Sequence, residues 1–440
     1  MSKKVVIVGG GWSGSAAALA ARKAGCEVVL FERADMLLGT GLVGGIMRNN
    51  GRFTATEEMI AMGGGDLFEV CDAQTRHKNV EFPGHKHVHL YDVSTIEPAV
   101  KKVLLNAGIT VHTKTRVKDA LVEDGRIVKI IADKFHGEQG IAEAADAFVD
   151  VSGTAGPQGN CMKYGNGCAM CIYRCPTFGP RFSIAARAGV QEILGEKPDG
   201  TLGAMSGSCK LHKDSLSPEI HHQLDKTGVC IIPVPASLRK SMDSLGQKAC
   251  QQYALREFAE NIILLDTGHA KLMTAYYPLD ILRQIPGCEN ARFEDPYAGG
   301  IGNSMRYLGM LPRNNALKVD GLANVFCGGE KAGLLVGHTE AIVTGTLAGH
   351  NAARTALGLA PAEIPVSLAC GDAIAHVREK MQTKEGRTKK YTFSGANYFA
   401  HMLEEGLYTT DIAAIRQRVA DAGMTGFFAK PLAPRKPLTY

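Results

Sequence analysis

A glycine turn held between a strand and a helix constrains this chain more than any other feature. Lys4-Val-Val-Ile-Val8 is a short β-branched apolar run, the pattern of a strand buried on both faces. Gly9-Gly10-Gly11-Trp12-Ser13-Gly14 follows at once, and Ser15 to Ala24, mostly alanine, reads as a helix. Cys26 to Phe31 reads as a second strand, with Glu32 at its tip. The turn matches G-x-G-x-x-G. Gly9 permits the tight turn, Gly11 lets the backbone approach a pyrophosphate, and Gly14 lets the helix pack on the strand. Bare amides at the helix N-terminus, with Ser13 among them, then face the phosphates. Glu32 lies 18 residues past Gly14, where a carboxylate can accept from both ribose hydroxyls. Strand, glycines, helix, strand and acid in this order predict a dinucleotide site.

With 440 residues the chain can bury a large core and divide into two or three domains. Met-Ser-Lys-Lys runs straight into the first strand, so no secretory leader is expected. No apolar run reaches 18 residues, so no membrane span is expected either. The net charge of +5 suits an anionic partner without requiring one. Twelve cysteines are many for a chain expected in the cytoplasm, where structural disulfides are rare.

After Arg33, the uncharged segment Leu38 to Met47 interleaves glycines with apolar residues, the composition of a loop that skirts a cofactor, with Thr40 in it. Residues 52–80 look like an amphipathic helix. His85, His87 and His89 alternate and would share one face of an extended strand, read as a polar face more readily than a metal site. Tyr91 to Asn106 reads as a helix. Thr110–Thr113 and Arg116–Val122, the latter containing Val117, read as strands, with a hairpin at Glu123-Asp-Gly125 leading into Ile127–Ile131. Ala147–Val151 is a further strand closed by Ser152-Gly153. Residues 181–270 carry mixed helical signals. Val325-Phe-Cys327 is a last core strand, followed by Gly328-Gly329-Glu330 and, from Gly337-His338-Thr339, a long helix of small residues that Gly358 ends. Beyond 366 the pattern is helical, with a basic stretch at 384–390 that reads as a solvated face.

The Gly329–Thr339 block selects the cofactor. A flavin enzyme needs a carboxylate near the ribityl chain, which Glu330 can supply, and positive potential where charge collects on reduction. A helix N-terminus at His338-Thr339 offers about half a positive charge there, and His338 could add a proton donor or simply cap the helix. FAD is therefore the expected cofactor, with Gly9, Gly11, Ser13, Gly14, Glu32, Arg33, Thr40, Val117, Ser152, Gly153, Gly329, Glu330, Gly337, His338 and Thr339 as its expected contacts and His338 as the catalytic group.

The final third resembles the tRNA-modifying flavoproteins, namely the folate-dependent tRNA uracil-5-methyltransferases and the larger carboxymethylaminomethyl-uridine enzymes. The residues that carry the resemblance are Ile285-Pro-Gly-Cys-Glu-Asn-Ala-Arg-Phe293, Asn324-Val-Phe-Cys-Gly-Gly-Glu330, Gly337-His-Thr-Glu-Ala341 and Ala348-Gly-His-Asn-Ala-Ala-Arg354. Lys163-Tyr-Gly-Asn-Gly167 with Cys175-Pro176 is similar to a segment of the folate-dependent enzymes. With residues 1–50 it covers more than half of the chain, and it implies an FAD fold. The folate-dependent enzymes carry a cysteine in a Val-Cys-Ser-Asn loop after the first nucleotide unit, where this chain has Val43-Gly44-Gly45-Ile46.

Cys168-x2-Cys171-x3-Cys175-Pro copies the tail of the bacterial ferredoxin run, and Cys161 completes four thiolates. A 4Fe-4S cluster on Cys161, Cys168, Cys171 and Cys175 is the expected use, with zinc, a Cys168/Cys171 dithiol and unrelated core thiols as alternatives. The expected architecture is α/β: a discontinuous two-dinucleotide-type FAD-binding Rossmann domain (1–50, 88–160 and 270–365), an inserted substrate and cysteine domain (51–87 and 161–269) and a C-terminal helical appendage (366–440). The expected activity is that of an iron–sulfur-containing FAD-dependent oxidoreductase acting on a small-molecule substrate or a redox carrier protein. The alternatives are a folate- and FAD-dependent RNA-modifying enzyme and an electron-transfer subunit; a homo-oligomer is open.

Overall fold

The computed structural model describes residues 3–134, 140–154, 178–196, 200, 204–205, 209–242, 255–273, 278–294, 305–306 and 309–434. Its centre is a five-stranded parallel sheet. β1 (Lys4–Val8) leads through α1 (Trp12–Lys23) to β2 (Glu27–Phe31), and β3 (Thr110–His112) extends that side. β4 (Ala147–Asp150) and β5 (Val325–Cys327) lie on the other side of β1, giving the order β5-β4-β1-β2-β3. Val5, Val6 and Ile7 are fully buried, as their β-branched run predicts for a central strand. The strand order reverses between β1 and β4, and ligands of such sheets bind in the crevice beyond the carboxyl ends there. The chain is an α/β protein with a Rossmann-type FAD-binding fold.

α2 (His338–Ala356) returns to this sheet and packs against α1. Their approach is set by glycines. A Cβ on Gly345 would overlap the Ser13 carbonyl, and one on Gly349 the Ala17 carbonyl, four residues further along each helix. Gly345→Val must force these helices apart, and overpacking of this kind costs about 1–3 kcal/mol. A fall in thermal midpoint of several degrees is the expected result, and an unchanged melting curve would contradict the close approach.

The connection from β3 to β4 is an antiparallel meander of Thr115–Glu123, Arg126–Lys134 and Ile141–Ala144. Asp124 (φ 46°) and Gly125 (φ 69°) are both left-handed, which the two-residue hairpin turn demands.

Four local expectations need correction. Residues 52–80 are not one helix: helices Gly51–Ala61 and Asp66–Ala73 flank Gly63-Gly64-Gly65, and Thr75–Phe82 is a strand. Tyr91 ends the strand His85–Tyr91, and the helix begins only at Ile96. The three histidines do not form a common face, because His87 has φ 59° and breaks the alternation. His85 Nδ1 meets Asn49, His89 Nδ1 meets Asp72, and His87 stacks edge-on against Phe53. Finally, the described residues between 209 and 272 are chiefly an antiparallel sheet, in the order 209–211, 270–272, 261–266 and 229–233, with the helix Pro218–Thr227 packed against it. The strand Asn261–Asp266 is an apolar run buried at five of six positions, so it carries no period-2 signal to separate it from a helix. Its Ile263 and Leu265 share a small core with Val80, Val88 and Leu90 of the 75–91 hairpin.

The chain beyond 366 packs into the principal core, through Leu368, Ile374, Tyr398, Val419 and Phe428 among others. Glu58, fully buried, accepts from the Ala369 and Cys370 amides at 2.9 Å, capping the helix Ala369–Lys380. No helix of the described residues is long and apolar enough to cross a membrane.

Candidate functional site

The carboxyl ends of β1, β2, β4 and β5 open onto one cleft. Gly9, Gly11 and Ser13 line it from the first turn, Glu32 and Arg33 from the end of β2, and Thr40 from the loop beyond. Ser152 and Gly153 enter after β4, Gly329 and Glu330 after β5, and Gly337 and His338 at the start of α2. Segments more than 300 residues apart in sequence are thus brought together here. Three expected contacts lie outside this cleft. Gly14 is packed so closely that a Cβ would overlap the Gly9 carbonyl; its role is in the turn itself. Val117 lines the adjoining pocket, beside Arg116, Arg181 and Phe182. Thr339 is fully buried behind the helix start.

The glycines divide by purpose. Gly9 has φ +112°, and a Cβ there would overlap the Val151 carbonyl, so the fold requires it. Gly11 has φ −64°, open to any residue, and nothing lies within 4 Å of where its Cβ would be. The fold alone makes no demand for glycine at 11; a ligand close to the backbone does. Ser13 Oγ, Thr339 Oγ1 and Trp12 Nε1 are buried without a hydrogen-bond partner in the described structure. A cradle that a Cβ would fill, edged by an unsatisfied hydroxyl, fits a bound pyrophosphate.

Glu32 is held for its task. Its two oxygens accept from the Gly10 and Ala34 amides at 2.7 and 2.8 Å, which fixes the carboxylate at the lip of both pockets. Arg33 donates to the Gly179 carbonyl, and Glu330 accepts from the Thr154 hydroxyl. Behind them Asp150, fully buried, accepts from Ser152 Oγ at 2.7 Å and from Ser183 Oγ at 2.6 Å, tying the end of β4 to the chain at 183–185.

Three residues around His338 escaped the sequence reading. Trp12, an unspecified position of the motif, is buried, lines the cleft and lies with its ring centroid 5.6 Å from that of His338. Tyr91 reaches His338 Nδ1 with its hydroxyl at 3.2 Å. Gly44 approaches so closely that a Cβ would overlap the imidazole. Its loop is anchored from the second sheet, where Lys271 donates to the Gly44 carbonyl and its cross-strand neighbour Lys210 donates to Leu42 O at 3.3 Å. Burial pushes the Lys210 ammonium below its usual range. Gly44→Ala should therefore displace His338 rather than disturb the loop alone. A Gly44→Ala protein whose flavin is reduced at the wild-type rate would show that the contact is unimportant.

Cys161, Cys168, Cys171 and Cys175 lie outside the described residues. The described cysteines, Cys26, Cys71, Cys209, Cys230, Cys288, Cys327 and Cys370, are all buried. Burial pushes Cys26 up to about 11 and Cys288 and Cys327 up to about 12, so these are protonated core thiols. Among the described residues no group of three or more His, Cys, Asp or Glu side chains could hold a metal ion.

Comparison with known proteins agrees with this geometry. Residues 4–156 match the family model described as FAD dependent oxidoreductase. Residues 237–360 match a second model, Glucose inhibited division protein A. Digeranylgeranylglycerophospholipid reductase 2 of Methanopyrus kandleri is 29% identical over 153 residues, which are 34% of this chain and 37% of the relative. The likeness thus spans little more than a third of that curated relative. Two structures of GidA from Aquifex aeolicus superpose with TM-scores of 0.64 and 0.61, at 15% and 16% identity. Each covers 96% of this chain, and the chain covers 76% and 79% of theirs. At that identity the likeness is one of fold.

Proposed function

We propose that the enzyme passes electrons between an iron–sulfur cluster and FAD, and so reduces or oxidises a small molecule or a redox carrier protein. The observation that carries this reading is the meeting of the two glycine segments in one cleft, with His338 at the N-terminus of α2. The first turn would hold the pyrophosphate, Glu32 the adenosine ribose and Glu330 the ribityl chain. FAD, when bound, supplies redox chemistry that no side chain offers. The enzyme's own contribution is electrostatic: about half a positive charge at the helix N-terminus, and the His338 imidazole, where negative charge gathers on reduction.

The cluster would sit on Cys161, Cys168, Cys171 and Cys175. Their spacing supports it, and so does the placement of the flanking residues. Thr154 lines the cleft just before this segment, and Arg181 and Phe182 line the adjoining pocket just after it. Cys171→Ser should remove the broad thiolate-to-iron absorption of anaerobically purified enzyme and leave FAD bound. Stoichiometric zinc, or a reducible disulfide with no metal, would count against the cluster.

A second reading, folate- and FAD-dependent modification of RNA uridines, is favoured by the resemblance of the final third and the match over residues 237–360. Against it stands Gly44: a thiol there would need the space that the His338 ring occupies. Glycine itself offers no nucleophile. Two reactions separate the readings, one with methylenetetrahydrofolate and unmodified tRNA, the other with a reduced low-potential donor. Methylated uridine in the first and no flavin reduction in the second would falsify the redox proposal.

A further inference from the structure

We infer that Arg52 is a positioning residue of the cleft: by pairing with Glu340 it leaves the N-terminus of α2 positive toward a bound flavin. The inference rests on the flavin reading of that cleft. Glu340 stands in the first turn of α2 and is fully buried. Its Oε1 accepts from the Phe393 amide at 2.8 Å and from the Thr392 hydroxyl at 2.7 Å. Those contacts fasten the chain around Tyr391, which bridges to Leu335, onto the start of the helix. The same carboxylate is a poor neighbour for an anion. A helix N-terminus carries about half a positive charge, and a full negative charge in the first turn would more than cancel it toward the cleft.

Arg52 removes that conflict. It comes from the first turn of the helix Gly51–Ala61 and is itself buried. It meets Glu340 at two points, Nε to Oε1 at 3.2 Å and Nη2 to Oε2 at 3.1 Å. Nη1 donates to Asn49 Oδ1 at 3.3 Å and Nη2 to Thr392 Oγ1 at 3.1 Å, which fixes the plane of the guanidinium. The pair lies directly behind the cleft wall. Gly337 lines the cleft with φ +146°, and a Cβ on it would overlap both the guanidinium and the carboxylate. Charges this far from water are weakly screened, so each alone would be felt in the cleft. Together they nearly cancel, and the amides of α2 set the potential there. Neither side chain lines the cleft, so both act through the helix start.

The test is the two-electron midpoint potential of the FAD-loaded enzyme in wild type, Arg52→Met, Glu340→Gln and the double variant. Arg52→Met leaves the carboxylate alone. Its preference for reduced over oxidised flavin should fall about tenfold, the order of one partly screened charge, or about 30 mV to lower potential. Glu340→Gln leaves the guanidinium alone, and the potential should rise by a similar amount. The double variant holds neither charge and should return to near the wild-type value. A role in packing alone would move both single variants in the same direction, or neither, and either result would overturn the inference. If Arg52→Met does not fold, the other two variants decide: a raised potential in Glu340→Gln alone supports the pairing, and equal potentials overturn it. Flavin content of the wild type keeps the two ideas apart. Wild type that binds no FAD takes down the flavin reading and this inference with it, whereas bound FAD with unmoved potentials ends only the role of Arg52.

Discussion

Gly11→Leu should yield a folded enzyme that cannot keep FAD. Most substitutions at nucleotide-binding glycines confound folding with binding, but here the two are separable. Gly11 has an ordinary φ of −64° and open space where a Cβ would be, so the flavin-free protein should accept a side chain. Loss of the favourable N-cap position costs about 1 kcal/mol or less. The bound state is different, since the side chain would occupy the place of the pyrophosphate. Overlap of about 1–3 kcal/mol would weaken retention about 5- to 150-fold. Gly9→Leu is the contrast: with φ +112° and the Val151 carbonyl in the way, it should fail to fold. Thermal melting of flavin-free protein and flavin content after gel filtration check both. A Gly11→Leu protein that retains FAD would place the dinucleotide elsewhere.

That contrast also shows how far the sequence could be read. The central sheet was legible because each of its strands is a compact β-branched or aromatic run bounded by glycine or an acid, and the crossover order leaves few topologies. Two classes of element were not. The strand Asn261–Asp266 is apolar from Ile262 to Leu265, so no period marks it, and the strand Thr75–Phe82, unlike its partner His85–Tyr91, was hidden by a histidine and a lysine that carry no hydrophobic alternation. Tertiary burial decided both.

In the site, residues that touch a ligand through backbone or short polar groups carry a motif; those that shape the site by packing do not. On the proposed reading, Gly11, Glu32 and Glu330 belong to the first kind. Trp12 stands at an unspecified position of the glycine motif, and Tyr91 is 247 residues from the His338 that it meets. A single buried tryptophan beside a glycine turn was the one available hint. Gly44 was legible only as the loss of a thiol, whereas the structure gives the glycine its own reason, the imidazole against it.

Glu192→Gln should be the most destabilising single change outside the cleft. Lys331 follows Glu330 directly and is fully buried, a position where a cation is tolerated only with a counter-charge. Glu192 provides it: its carboxylate pairs with the Lys331 ammonium and takes two hydrogen bonds from Arg181, at 3.0 and 3.2 Å. Burial opposes the Glu192 charge, yet Lys331 and Arg181 outweigh it and hold the carboxyl down at about 2, from a usual 4.5. Burial and the Arg181 guanidinium both push the Lys331 ammonium down, and the charges of Asp150 and Glu192 oppose them, Glu192 also by a hydrogen bond. The depressed carboxyl corresponds to about 3 kcal/mol of stability. Because the folded value lies below the unfolded one, this contribution is complete above about pH 5 and is lost as pH falls from 4.5 toward 2. Gln removes the charge at every pH and leaves Lys331 buried with Asp150 as the remaining opposing charge, a loss of about 3 kcal/mol. Denaturant unfolding at pH 7 should show that loss, and the wild-type and variant curves should converge as the solution is acidified below pH 4. Retention of FAD should fall as well, since Glu330 precedes the strained lysine in the chain. Equal stability of the two proteins at pH 7 would mean that Lys331 finds another anion, or gives up its proton, at little cost.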